Sequence, residues 1–364
     1  MAHAVSHLIQ AMEAIAPTRF AAAWDNVGLV VGDPSAVVSS VLLAIDCTRA
    51  VVHEALRERC EAIVAYHPPI FDPQKRFVAG SPAFEAARGG LSVFSPHTAL
   101  DVAEGGTNDV LADSVGIERR TPLRAVSHPD AEYKLVTFVP ADHVEAVSRA
   151  MFAEGAGRIG GYSSCSFRTP GTGTFFGEAG AQPVVGEAGR LEEVPELRLE
   201  TVVPAARASA VVAALRRAHP YEEPAFDLVR LAPAAPPGGI GRVGEVRPST
   251  AGALVERVKG ELGVSHVLVA GDLDAQVSRA AVCAGSGGDL VPDAIAAGAR
   301  FFLTGELRHH DALLAVEAGL VVACARHSTS ERIALGALAR SLSARLPGVK
   351  VVQSQQDREP FAFV

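Results

Sequence analysis

One event recurs along this chain and constrains its fold more than any other feature. A short apolar run reads as a buried strand, stops abruptly at polar residues, and gives way to helical periodicity. Val41 to Ile45 ends at Asp46 and Thr48, and a helix follows from Arg49 to Arg59. Ala62 to Tyr66 stops at His67-Pro68-Pro69. Two prolines cannot continue a central strand, so His67 sits at a strand's carboxyl end in a stiff loop. Leu91 to Ser95 runs into Pro96-His97-Thr98-Ala99-Leu100-Asp101. Gly319 to Ala325 is followed by His327, with Ser328 or Ser330 as N-cap of a helix through Ile333, Leu335, Leu338 and Leu342. Alternation of this kind predicts an α/β fold, a mainly parallel sheet core with helices on both faces.

The middle of the chain has a different texture. "KLVTFVPADHVEAVSRA" and "RLETVVPAARASAVVAA" resemble each other, each a strand ending in Val-Pro and then an Ala/Val helix, the first capped by Asp142. Gly-rich, polar sequence from Gly155 to Gly189 lies between them, and a closing strand spans Ala225 to Leu231. Two strand–helix halves plus a last strand predict a ferredoxin-like α+β insertion. The loop from His219 to Pro224 reads as a proline-bounded connection, and Pro233 to Gly241 as an exit linker. The expected organisation is therefore 1–123, first half of the core; 124–233, the insertion; and 234–364, second half of the core. Over 364 residues such a two-part plan is ordinary.

Composition narrows the function classes. The chain is 48% hydrophobic but only 5% aromatic, so its cores must be aliphatic. The net charge is -8 with no cluster of Lys and Arg, which argues against a nucleic-acid surface. An anionic small-molecule substrate would need a metal or backbone amides to hold it. Cys47, Cys60, Cys165, Cys283 and Cys324 are scattered, odd in number and without a Cys-x-x-Cys pair; structural thiols in a reducing cytoplasm are expected. The first residues form an amphipathic helix through Val5, Leu8, Ile9, Met12 and Ile15 rather than a leader, and no run approaches a membrane span.

In open parallel sheets, sites form beyond the carboxyl ends of the strands. Three such ends carry metal-ligand chemistry here: His67; His97 with Asp101; and His327 with Glu331. Four-residue spacing puts each of the last two pairs on one helical face. Imidazole nitrogen and carboxylate oxygen together suit Zn, Mn, Fe or Ni better than Ca. His97 is a candidate for orienting a ligand or moving protons. The competing reading is that these residues cap loops without converging. Glu306 ends a strand and could support a ligand from behind; of His309 and His310, which open a helix, one is expected to be exposed and the other to face the site region or pack, but spacing alone assigns none of them a role. Gly285-Ser286-Gly287-Gly288-Asp289 is a tight turn that could also offer backbone N–H groups to a phosphate. Asp25-Asn26 reads as a polar turn.

These motifs form a recognisable set. "WDNVGLVVG" from Trp24, "AYHPPIF" from Ala65, "PHTALD" from Pro96, "HPYEEPAFD" from His219, "AGSGGD" from Ala284, "TGELRHHD" from Thr304, "RHSTSE" from Arg326 and the closing "EPFAFV" resemble, in order, the Ngg-interacting-factor-three-like family. Its bacterial members are often named GTP cyclohydrolase 1 type 2 homologues or dinuclear-metal-centre hexameric proteins. The resemblance implies an α/β core, a homohexameric toroid, and two adjacent divalent metal ions per subunit in the family; with Tyr66 in place of one imidazole, one or two per subunit are expected here. It places metal ligands at His67, Asp101, His327 and Glu331, with Glu331 bridging. The longer bacterial form carries a nitrogen-regulator-like or cation-tolerance-like insertion, which fits 124–233. The chain departs from the family pattern at Tyr66, where a histidine is frequent, at Arg326, where glycine is usual, and at Ser328, where an aromatic is common. The resemblance implies a metal-dependent hydrolase acting on GTP or another phosphate-bearing substrate. The alternative is a non-catalytic metal-binding scaffold or regulatory interaction protein.

Overall fold

The computed structural model describes residues 3–126, 132–178, 184–231, 238–362 and 364. The chain forms two compact units, Met1–Val126 with Gly238–Val364, and Ser127–Pro237.

The first unit holds two large sheets rather than the single sheet that could have carried every histidine-bearing strand. One is five-stranded, in the order Lys350–Gln353, Ser40–Asp46, Ala62–His67, Ser92–Ser95, Gly28–Val31, parallel except for the last pair. Its central strands are continuous apolar runs because both faces are covered. Leu43, Ile45, Val64 and Tyr66 pack on one face against Leu8 and Met12 of the helix Val5–Ile15 and Leu335, Leu338 and Leu342 of the helix Ala334–Arg345. Leu42, Ala44, Ile63 and Val93 pack on the other against Val51, Val52 and Ala55 of the helix Arg49–Arg57.

The other sheet is six-stranded, in the order Leu268–Ala270, Val321–Cys324, Phe301–Glu306, Gln276–Ser286, Gly239–Thr250, Glu118–Ala125. Only its Gln276–Ser286, Phe301–Glu306 and Val321–Cys324 strands run parallel; the outer pairings are antiparallel. Two strands cross between the chain's halves. Lys350–Gln353 returns to pair with Ser40–Asp46, and Glu118–Ala125 pairs with Gly239–Thr250. Two strands here were unmarked in the sequence pattern, and one expectation needs correction. Glu118–Ala125 and Gly239–Thr250 are strands, although arginines, glycines and prolines hide any apolar run, and Gly239–Gly241 begins a strand rather than ending a linker. Residues 233–237 of that linker lie outside the described residues.

The second unit is a four-stranded antiparallel sheet, ordered Phe226–Arg230, Glu132–Pro140, Leu191–Pro204, Ser166–Phe176. The helices Val144–Ala153 and Ala208–Ala218 follow its first and third strands in sequence, which is the ferredoxin-like arrangement. Leu135, Val139, Val147, Met151, Leu199, Val203, Val211 and Leu215 form its core. Ser166–Phe176 falls where only Gly-rich filler was expected. Asp142 does not cap the following helix; His143 is the N-cap, without a side-chain hydrogen bond. His219 Nε2 lies 2.9 Å from the Phe138 carbonyl, and its Nδ1 accepts from the Tyr221 N–H at 3.1 Å, so the His219 loop is tied to its own sheet. Among the described residues all five cysteines are free, and no helix is long and apolar enough to cross a membrane.

One buried ion pair anchors the helices that carry the site. Arg242 and Asp109 are both 5% exposed. Arg242 donates to both oxygens of Asp109, at 2.7 and 3.1 Å, and to the carbonyls of Gly239, Gly241 and Ala103. Asp109 also accepts from the Gly105 N–H at 2.7 Å. The pair thus clamps the turn between the helices His97–Val102 and Thr107–Val115 onto the strand Gly239–Thr250. Arg120 Nε also reaches Asp109, at 3.0 Å, so loss of Arg242 leaves that carboxylate a second cation, whereas loss of Asp109 strands buried Arg242, which typically costs ~3–5 kcal/mol. Asp109→Leu should therefore lower stability to denaturant by that order, and the double variant with Arg242→Met should recover much of the loss. Equal destabilisation in single and double variants, measured by urea unfolding, would contradict the assignment.

Candidate metal centre

Each side chain of the centre is delivered by a strand end. Ser40–Asp46 and Ala62–His67 are parallel neighbours whose register sets Asp46 opposite His67. That pairing lets Asp46 Oδ1 meet His67 Nδ1 at 2.9 Å. In the other sheet, Phe301–Glu306 and Val321–Cys324 are also parallel, and their backbone pairing continues past the strand, Ala325 N–H to the Thr304 carbonyl and Arg326 N–H to that of Gly305. Arg326 then takes φ +76, the left-handed region, at the point where the chain turns into the helix His327–Arg332. Glycine enters that region without steric cost. Arg326 rather than a serine is the N-cap; Ser328 and Ser330 lie inside the helix, where Ser330 Oγ accepts from the Gly285 N–H. One helical turn separates His327 from Glu331.

His67, His327 and Glu331 converge. One ligand atom from each lies within 4.8 Å of the others. His327 Nε2 is 3.1 Å from Glu331 Oε1, and His67 Nε2 is 3.4 Å from Glu331 Oε2. The Glu331 side chain is only 4% exposed, and its Oε2 is buried with no hydrogen-bond partner. An orphaned buried carboxylate oxygen facing an imidazole nitrogen is costly unless a cation or proton compensates it. Gly285 leaves room beside the cluster: a Cβ there would lie 2.9 Å from Glu331 Oε1 and 3.4 Å from His327 Nε2.

A second layer of carboxylates fixes the rings. His67 Nδ1 is held by Asp46, His327 Nδ1 by Glu306 at 3.1 Å, and His97 Nδ1 by Asp25 at 2.7 Å. Three imidazoles thus each spend Nδ1 on a carboxylate, and those of His67 and His327 turn Nε2 toward Glu331, the usual way a protein orients metal-binding histidines. Burial would pull His67 down, but Asp46 and Glu331 push it up to about 10. Glu331 and then Glu306, against burial, push His327 up to about 9. Burial would raise Glu331, yet the two imidazoles hold it below the ordinary carboxylate range. The site is therefore electron-rich and draws positive charge. Its donor set, two nitrogens and a carboxylate, fits a divalent transition metal.

Asp101 is placed differently from the other expected ligands. It stands outside the three-residue cluster and accepts a hydrogen bond from the Tyr66 hydroxyl. Burial first, and then the charge of Glu331, push Asp101 up to about 7 against that hydrogen bond. His97 faces the cluster, its ring centroid 5.2 Å from that of His67. Asp25 is more than a polar turn. It also accepts from Thr98 N–H and Oγ1, and these bonds with His97 outweigh burial to hold its carboxyl low. Exposed Trp24 and Phe71 lie edge-on to His97, at 6.0 and 6.3 Å between centroids. Sequence reasoning missed Asp46 and Asp25 as partners of histidines. The signal for Asp46 was its place at the end of the strand beside His67's. His309 and His310 meet edge to face and belong to no ligand cluster among the described residues.

Comparison with known proteins identifies the family and the fold. A family model described as Duf34/NIF3 (NGG1p interacting factor 3) matches residues 3–360. A Mycobacterium leprae protein named "GTP cyclohydrolase 1 type 2 homolog" is 40% identical over 321 residues, 86% of this chain and 82% of that one. A Bacillus subtilis protein of the same name is 35% identical over 366 residues, 98% of each. Among solved structures, a Bacillus cereus protein related to NIF3 superposes with a TM-score of 0.70 at 33% identity, covering 100% of this chain and 99% of its own. A Staphylococcus aureus protein reaches 0.76 at 26% identity, with the same coverage. On sequence and fold together, the chain belongs to the Duf34/NIF3 (NGG1p interacting factor 3) family.

Proposed function

We propose that this protein is a metal-dependent hydrolase whose divalent cation is held by His67, His327 and Glu331. The observation that carries the reading is the pairing of each imidazole's Nδ1 with a carboxylate while both Nε2 atoms face buried Glu331. A divalent cation of the Zn, Mn, Fe or Ni kind would supply Lewis acidity and a water of lowered pKa there.

The chain's own residues supply the rest. His97, with Nδ1 anchored on Asp25, keeps Nε2 free to take and return a proton beside the centre. Trp24 and Phe71 offer exposed aromatic surface next to His97, suited to a planar heterocycle. A nucleotide such as GTP joins such a ring to an anionic phosphate tail, and the relatives' name points the same way. Family membership supports assembly as a homohexamer, and the free thiols support a cytoplasmic setting. An acidic chain of net charge -8 is a poor nucleic-acid binder.

Metal affinity tests the first layer and the second separately. His327→Ala should abolish tight zinc binding in competition with a chromophoric chelator. Asp46→Ala and Glu306→Ala should each weaken it by ~10–100-fold; no change in either would contradict the orienting role.

Proton linkage has a definite sign. With His67 and His327 pushed up to about 10 and 9, both are protonated at neutral pH without metal. Binding must then displace about two protons per ion, and affinity must rise with pH through the neutral range. Calorimetry in buffers of different ionisation enthalpy measures this; zero proton release would contradict it.

Turnover decides the chemistry. Metal-loaded protein is assayed against GTP and a phosphoester panel. Hydrolysis should appear and fall by at least ~10²-fold in His97→Ala, in line with loss of a general acid–base, while Trp24→Ala should raise KM more than it lowers kcat. Full metal loading with no turnover on any substrate would instead make the protein a metal-binding scaffold.

A further inference from the structure

Beside the three-donor cluster lies a second group of side chains that are bonded to one another. Tyr66 immediately precedes His67 on its strand, is 1% exposed, and packs with Phe94, Ala99 and Leu100. Its hydroxyl donates to Asp101 Oδ1. Asp101 is tied a second time through its carbonyl, which accepts from Asn108 Nδ2 at 3.0 Å. Asn108 in turn accepts, through Oδ1, from the Ala284 N–H at 2.9 Å. Ala284 adjoins Gly285, the residue that leaves room beside Glu331.

We propose that this chain binds one divalent cation rather than two, at His67, His327 and Glu331, and that the Tyr66–Asp101 hydrogen bond occupies the place where a second, adjacent cation would sit. The inference rests on the metal reading above. Two observations carry it. An imidazole at position 66 would bring a nitrogen lone pair, whereas the protonated phenol brings a hydrogen-bond donor and spends it on Asp101 Oδ1, which leaves Asp101 Oδ2 as the one carboxylate oxygen not held by Tyr66. Both oxygens of Glu331 also face the same two imidazoles, Oε1 toward His327 and Oε2 toward His67. Among the described residues the convergent group is these three and does not include Asp101.

Stoichiometry is the test. Protein stripped with chelator is loaded with excess zinc, desalted, and counted by native mass spectrometry and elemental analysis. The wild type should carry one zinc per chain and Tyr66→His two. Asp101→Asn, which keeps an oxygen to accept from Tyr66, should still carry one, with affinity within about threefold, since a carboxylate outside the ligand set leaves the first layer intact. Two zinc ions in the wild type, one in a folded Tyr66→His, or none in Asp101→Asn would each overturn the proposal. A phenolate-to-iron absorption band in the ferric form would also overturn it, by making Tyr66 a ligand. No zinc in the wild type would instead defeat the metal reading itself.

Discussion

The arrangement turns on one buried carboxylate. Glu331 lies almost wholly out of water, faces an imidazole on each oxygen, and leaves Oε2 without a hydrogen bond. Taking a carboxylate out of water costs several kcal/mol unless it is compensated, and here compensation comes from two rings that are themselves gripped from behind by Asp46 and Glu306. Each carboxylate makes its imidazole a better donor, and each imidazole makes burial of Glu331 tolerable. The parts are stable only as a set, with a positive charge at their centre.

The fold serves that set by bringing two sheets' strand ends together within one unit. His67 and Asp46 come from the five-stranded sheet, where parallel register makes them cross-strand partners. His327, Glu331 and Glu306 come from the six-stranded sheet. The strand exchange between chain halves, Lys350–Gln353 into one sheet and Glu118–Ala125 into the other, ties the two together. The Arg242–Asp109 clamp secures the turn beside the helix carrying His97 and Asp101. The left-handed turn at Arg326 is the sharp reversal that aims His327 and Glu331 back at the sheet ends.

Much of this was legible in the residues. Strands buried on both faces are continuous apolar runs, so their ends could be read from where the run breaks, and His67 and His327 stood at such breaks. The ferredoxin-like insertion was legible from its internal likeness. Other features depend on partners that sequence order does not name. Asp46 looked like a strand terminus because its role exists only through register with His67. Asp25 looked like a turn because His97 is 72 positions away. The strands Glu118–Ala125, Ser166–Phe176 and Gly239–Thr250 carry Arg, Gly, Pro and Thr where a periodic apolar face would have marked them. The pairing of Tyr66 with Asp101 needed both the burial and the direction of a phenol.

The central claim is that two imidazoles and one carboxylate from separate sheets share a cation. Anomalous diffraction from zinc-loaded crystals, collected on both sides of the zinc edge, tests it most directly. A difference peak within coordination distance of His67 Nε2, His327 Nε2 and a Glu331 oxygen is the predicted result. A peak elsewhere in the chain, with these three side chains empty at full zinc loading, would contradict the account.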